Sequence, residues 1–563
     1  MVRSTRCAGI AGLACSLVFG GLAAGATHAL AGEAATTPAW PALTPSIIYT
    51  KDAPPATPGL AELPLVTSVS QYGITWTFEK PARVGQFVNG DFYVVGPVTV
   101  VGLEPKTLVG EQVPKEELGP RETAGRRNDR RYVRNGSMLN PPARQEVAYD
   151  SAILNWFRPN LLNLPPIAMK PADSLVSTIS LKQGEKIRAF FRTTNPYAFR
   201  ENGDDSPVRT AAVLTCVDQP QPPDAFRPSF CDRTAKIHLA RDLRRDLLPK
   251  LAMPTGPIVL DGGPTTLDYM TRVFQRPWVN TGFFGFEEPV ENMPLYGSEV
   301  GRAVGVGALL LCCDLPAEQK EALLINYVQV GIDLGGIIRS GHPGWEGFGG
   351  HGSGRKLPIV FAGLLLGDEQ LANVNKSFPK ASFAEDEQTA YGDSWTGAKV
   401  VFTGHRGIDE ATGIGRADTG PYEHKDPAIW TGIAGGPQRW GDKCSESYRR
   451  CCTSICWVGQ ALALHLMKAE GAWDHDAFFD YCDRWMYEED SEFLKILRER
   501  TGGDYGQPWS RQGQAWDDFV NEMWAKYRTA PGMPPIDGWR KQHDDGYIRD
   551  AIEKAPPGRA AAR

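Results

Sequence analysis

The hydrophobic period changes once along the chain, and that switch limits the possible folds more than any single motif. In the N-terminal half Ile74, Trp76 and Phe78 alternate with polar residues, the spacing of a strand that buries one face. Gln86-Phe87-Val88-Asn89-Gly90-Asp91-Phe92-Tyr93-Val94-Val95 reads as strand, Asn-Gly turn and strand, so a hairpin is expected there. Further strand-like runs lie at 174–181, 186–192 and 211–216, punctuated by Pro and Gly. An antiparallel β-sandwich over residues 68–250 is the expected arrangement.

Beyond residue 250 the apolar spacing is helical. Segments 296–313 and 316–338 have helix length and meet at Asp314-Leu315-Pro316, where Asp is expected to cap and Pro to start the second member of an αα-hairpin. Helical patterns recur at 356–366, 447–469, 474–500 and 514–528. The 60 Gly and 44 Pro exceed usual frequencies, which predicts long ordered loops. Two such loops, 339–355 and 403–446, gather His, Tyr, Trp and charged residues, as a cleft on a helical scaffold would.

Arg3 and Arg6, the small-residue apolar run 7–26 and Ala29-Leu30-Ala31 read as a secretory signal over 1–31. An Ala/Pro/Thr-rich linker over 32–67 follows, and residues 536–563 read as a C-terminal tail. The expected location is periplasmic or secreted, with no membrane span after signal removal. Loss of Arg3 and Arg6 takes the formal charge from −6 to −8, which argues against a nucleic-acid partner. The basic run 126–134 reads as a solvated loop. Eleven Cys less Cys7 and Cys15 leave an odd number. Cys216 and Cys231 flank a Pro-rich loop and are placed to bridge, whereas Cys444, Cys451, Cys452 and Cys456 lack His partners at zinc spacing and read as packing or a disulfide. Neither a metal site nor a cofactor is expected.

Three constellations carry candidate chemistry. His342-Pro343-Gly344-Trp345-Glu346-Gly347-Phe348-Gly349-Gly350-His351-Gly352-Ser353-Gly354-Arg355 combines glycines that admit close backbone approach, flat rings for sugars (Trp345, Phe348), a titratable donor (His351) and a fixed cation (Arg355). The second contains His405, Arg416, Asp418, Tyr422 and His424, with Tyr422 a proton-transfer candidate. The third is Tyr296 with Glu299 and Arg302, an intrahelical ion pair on one reading and substrate contacts on the other. His465 and His475 read as packing or surface residues. No Gly-x-Ser-x-Gly or His-Glu-x-x-His motif occurs.

With its β-rich half, helical-hairpin half and the Gly-His-Gly-Ser-Gly-Arg and Tyr-Glu-His loops, the chain resembles the α/α-toroid polysaccharide lyases, the class of alginate, glucuronan and heparinase II/III-like enzymes. The resemblance spans about 296–528 and is architectural. It implies an α+β multidomain protein whose residues 251–535 form an α/α-toroid, a barrel of helical hairpins. It also implies a secreted lyase cleaving an acidic, uronate-containing polysaccharide by β-elimination. His351 and Arg355 would neutralise the carboxylate, Tyr422 would act as base or acid with His424 assisting, and Tyr296 would be the reserve tyrosine. Trp345, Phe348, Glu346, Arg302, His405, Arg416 and Asp418 would contact substrate. Two alternatives stay open: a glycoside hydrolase using Glu346 and Asp418, and a non-catalytic glycan binder stacking sugars on Trp345, Phe348 and Trp430.

Overall fold

A computed structural model describes residues 47–118, 132–143, 146–152, 157–182, 208–254, 267–279, 292–294, 296–347, 349–404, 408–409, 414–415, 423, 446, 448–501 and 511–543. The expected signal, the strand at 186–192 and most of the loop 403–446 lie outside them.

The alternating segment forms strands β1 (Leu65–Gln71) and β2 (Ile74–Gln86), joined by a two-residue turn at Tyr72 and Gly73, both with positive φ. That turn suits the twist of the strands it joins. The expected hairpin follows: β2 pairs antiparallel with β3 (Phe92–Val95), Val84 opposite Val94. Next come β4 (Val98–Glu104), the short β5 (Leu108–Val109), β6 (Val133–Arg134), β7 (Ser137–Leu139) and β8 (Ile167–Met169), then β9 (Ser174–Ser180) and β10 (Val208–Val217).

These strands do not make a sandwich. Eight of them form one sheet, seven along the hydrogen-bonded path β7-β9-β10-β3-β2-β4-β8 and the eighth, β1, paired with β2 off that path. The long β2 turns the corner. Its first half pairs with β4 and its last residues with β3, either side of Pro81, which cannot donate to a ladder. The sheet curls around a single core that includes Trp76, Phe78, Val94, Val100, Ile167, Leu175 and Leu214. Trp76 Nε1 donates across that interior to Ser177 Oγ at 3.0 Å. The result is a near-closed, barrel-like sheet over about 60–217, and β10 runs parallel to β3, so it is not wholly antiparallel either. Arg134, expected in a solvated loop, is buried and paired with Asp150 at 3.0 Å.

The helical region comprises α1 (Leu267–Gln275), α2 (Gly297–Leu311), α3 (Ala317–Arg339), α4 (Lys356–Leu366), α5 (Ser454–Leu466), α6 (Asp476–Tyr487), α7 (Ser491–Thr501) and α8 (Asp518–Tyr527). Its helices do not succeed one another as the stacked hairpins of a toroid. The main partner of α2 is α5, far along the chain, and Gly305 and Gly459 bring the two backbones together. Pro316 rather than Asp314 holds the N-cap of α3. The predicted 474–500 helix breaks between α6 and α7, where Glu488 and Asp490 accept from Arg484 and Arg450. By length and composition α3 could cross a bilayer, yet 94% of its most apolar window is buried, and it serves as a core helix.

Barrel and helices belong to one unit, Pro45–Arg563, and a buried ionic triad joins them. Arg227 Nε donates to Asp91 in the β2–β3 turn at 2.5 Å, and its two terminal nitrogens donate to Asp333 of α3 at 3.0 and 2.6 Å. Gln71 and Asn89 also donate to Asp91, each at 2.8 Å. Removing one partner strands a buried charge. Arg227→Ala is expected to lower unfolding free energy by about 3–5 kcal/mol, measured by urea titration, and Arg227→Lys to recover little of it, since one ammonium cannot reproduce the fork.

Candidate functional site

The Gly-rich loop connects α3 to α4, and its shape is set by the turn that follows. Gly344 and Trp345 pair with Ser382 and Phe383 as short parallel strands. The next residues are a four-residue helix, Ala384–Glu387, whose acids turn back onto the loop. Glu387 Oε2 accepts from Gly347 N–H at 2.9 Å and Glu385 Oε1 from Gly354 N–H at 2.6 Å. Gln388 Nε2 donates to the carbonyls of Gly349 and Gly404 at 3.0 and 3.2 Å.

The glycines are explained by the protein's own close contacts. A Cβ at Gly350 would lie 2.2 Å from the carbonyl oxygen of Cys452, and one at Gly352 2.1 Å from that of Glu346. On the facing helix, a Cβ at Gly297 would lie 1.9 Å from the His351 carbonyl. The loop is therefore wedged between the start of α2 and the turn before α5.

That wedge brings Tyr296 and His351 together. Their rings meet edge to face with centroids 4.8 Å apart, and the Tyr296 hydroxyl accepts from Gly350 N–H at 2.9 Å. His351 is 9% exposed and Tyr296 4%. Arg355 is buried, and its Nη1 donates to the carbonyls of His351 and Ser353 at 2.9 and 2.7 Å, which holds the loop. Trp345 is fully buried against His342 and Phe383, whereas Glu346 is exposed. Arg302 sends its fork to Asp517, with Nε at 2.7 Å, and covers the Trp516 ring. Glu299 accepts from Tyr296 N–H.

Phe348, His405, Arg416, Asp418, Tyr422, His424 and Trp430 lie outside the described residues. Between Tyr422 and His424, however, Glu423 is fully buried. It accepts from Phe402 N–H at 2.5 Å and from Arg484 at 2.8 and 3.1 Å, and lies 3.2 Å from Arg449. Glu446, Arg449 and Arg450 are buried in the same ionic network. His465 has a partner in Glu470 at 2.7 Å and His475 in Thr389 at 3.0 Å.

The sequence reading passed over Glu385-Asp386-Glu387-Gln388, a run of acids whose position in the fold nothing local reveals. Glu385 is fully buried, and burial raises its pKa above the usual carboxylate range despite donors from Gly354 and Gln460. Lys356 is buried too. Its ammonium reaches Asp386 at 2.5 Å and the Trp473 carbonyl at 2.6 Å, over the Trp473 ring, and burial lowers its pKa against the pull of Asp386. Cys216 and Cys231, expected to bridge, are separate buried thiols. Among the described residues no group of three or more His, Cys, Asp or Glu is placed to hold a metal ion. Comparison with protein-family models, curated proteins and solved structures found no match to this chain.

Two expectations test this construction. Gly350→Ala forces a methyl group onto the Cys452 carbonyl, so a loss of about 1–3 kcal/mol is expected in chemical denaturation. Glu385 keeps its proton in the native state over an interval where the unfolded chain has lost it, so its contribution makes unfolding free energy fall as pH rises through that interval. In Glu385→Gln this part of the slope should vanish, as read from urea midpoints between pH 4.5 and 7.

Proposed function

We propose that the protein is an exported polysaccharide lyase that cleaves a uronate-containing polysaccharide by β-elimination, with Tyr296 and His351 as its acid–base pair. The observation that carries this reading is the edge-to-face contact of these two rings, with the Gly350 amide on the phenolic oxygen. It rests on that pair and not on the overall architecture. Elimination needs a group to take the C5 proton and a donor for the departing O4, together with fixed dipoles where negative charge develops. The C5–H and C4–O4 bonds break, a C4–C5 double bond forms, and the proton taken by one member of the pair balances the one given by the other. No metal or redox partner enters the balance. Tyr422 and His424, the sequence neighbours of Glu423, are the further candidates from the second loop. Export rests on Arg3, Arg6, the small-residue apolar run 7–26 and Ala29-Leu30-Ala31.

The decisive assay follows ultraviolet absorbance of purified mature protein with alginate, glucuronan, hyaluronan, chondroitin or heparin, beside a reducing-end assay on neutral glycans. An unsaturated uronate is expected from at least one acidic substrate. Tyr296→Phe and His351→Ala should each lower kcat by about a hundredfold or more, with circular dichroism unchanged. Reducing ends without absorbance would mean hydrolysis and shift attention to Glu346 and Asp418.

A further inference from the structure

Cys451 and Cys452 are neighbours in sequence joined to each other by a disulfide. They occupy the π-helical turn Arg449–Thr453 that leads into α5, and both are half-buried. The six free cysteines among the described residues, Cys216, Cys231, Cys312, Cys313, Cys456 and Cys482, are all buried.

A disulfide stabilises a fold chiefly by closing a long loop and narrowing the unfolded ensemble. Between adjacent residues there is no such loop, so the bond adds almost nothing of that kind. Its effect is local: the small ring fixes one peptide unit in a turn with two loaded sides. On one side Arg449 and Arg450 reach the buried acids Glu423, Glu446 and Asp490. On the other the Cys452 carbonyl lies so close to Gly350 that a Cβ there would meet it, next to His351.

We propose that Cys451–Cys452 is a reversible redox site, and that its opening by a dithiol reductant releases the Arg449–Thr453 turn and, through Cys452 against Gly350, loosens the segment carrying His351. This holds whatever the substrate. A thiolate of the reductant attacks one cysteine sulfur, the S–S bond breaks, and its electron pair goes to the released sulfur. The reductant's second thiol then displaces the mixed disulfide. The reductant leaves as a disulfide, and two protons remain on Cys451 and Cys452. Among the described residues this pair is the disulfide the reductant can open, and it is half-buried where the six free thiols are buried; those thiols resist alkylation for want of access and because burial raises their pKa, that of Cys216 to about 12 and of Cys313 to about 11.

The test treats the full chain with dithiothreitol in native buffer, alkylates it, and reads peptide masses alongside amide hydrogen exchange of 349–356 and 449–456. The expected result is paired labelling of Cys451 and Cys452, with the six buried thiols unlabelled. Exchange in both segments should rise about tenfold and revert on reoxidation. Labelling without reductant, no labelling under native conditions, or paired labelling with exchange unchanged would each overturn the proposal. The double variant Cys451→Ser/Cys452→Ser should exchange at the reduced level and ignore dithiothreitol. A variant that folds and exchanges like the oxidised protein would overturn it as well.

Discussion

Arg227 stands between a carboxylate of the barrel and a carboxylate of α3, with all three groups almost wholly withdrawn from water. Charges in such surroundings are tolerated only when partnered. Losing any one of the three while the others stay packed would leave a buried charge uncompensated. Burial still leaves its mark on Asp333, whose pKa is pushed up to about 6 although Arg227 holds it from both oxygens. The triad thus fixes where α3 lies against the β2–β3 turn, and everything after α3 is referred to that position. A Cβ at Gly331 would strike the Pro358 carbonyl, so α4 lies directly against α3. The Gly-rich loop is anchored at both ends by these two helices.

The loop itself is governed by a second set of buried acids. Glu385 and Glu387 satisfy backbone amides that no regular ladder serves, as buried polar groups require. The glycines let the loop enter the narrow space between α2 and the turn before α5. Tyr296 and His351 meet because the first residue of α2 is a glycine and the loop backbone lies on top of it. In the proposed reaction a pair set on a helix terminus and a tightly held loop would be preorganised, which suits chemistry whose charge develops only in the transition state. The network of Arg449, Arg450 and Arg484 with Glu423, Glu446, Glu488 and Asp490 holds the turn before α5, on which Gly350 rests.

The legible part of the fold is the local part. The β2–β3 hairpin, α2, α3 and α4 fall within a residue or two of their sequence readings, because periodicity and turn chemistry act over a few neighbours. The sandwich was misread because the sheet's path depends on distant pairings, such as Val94 with Cys216 in parallel, which no alternation encodes. Similarly, Glu299 is three residues from Arg302, yet the fork goes to Asp517, 215 positions away. Trp345 has the composition of a sugar platform, but burial beside Phe383 makes it part of the core. The glycines of the loop were legible as close-approach positions. Whether they approach a ligand or the protein's own backbone was not.

By itself the sequence determined the order of a β-rich half and a helical half, the extent of α2, α3 and α4, and the loop where His351 and Arg355 lie. Those properties follow from spacing, which is carried by adjacent residues. Only the tertiary structure decided that one curled sheet replaces two stacked ones, that Tyr296 is the partner of His351, and that Arg355 serves the loop. It also decided that Cys452 bonds to its neighbour and not to Cys456 one turn on. Each of these depends on which buried donor finds which acceptor, and on how closely two backbones can approach, quantities that exist only once distant segments are packed together.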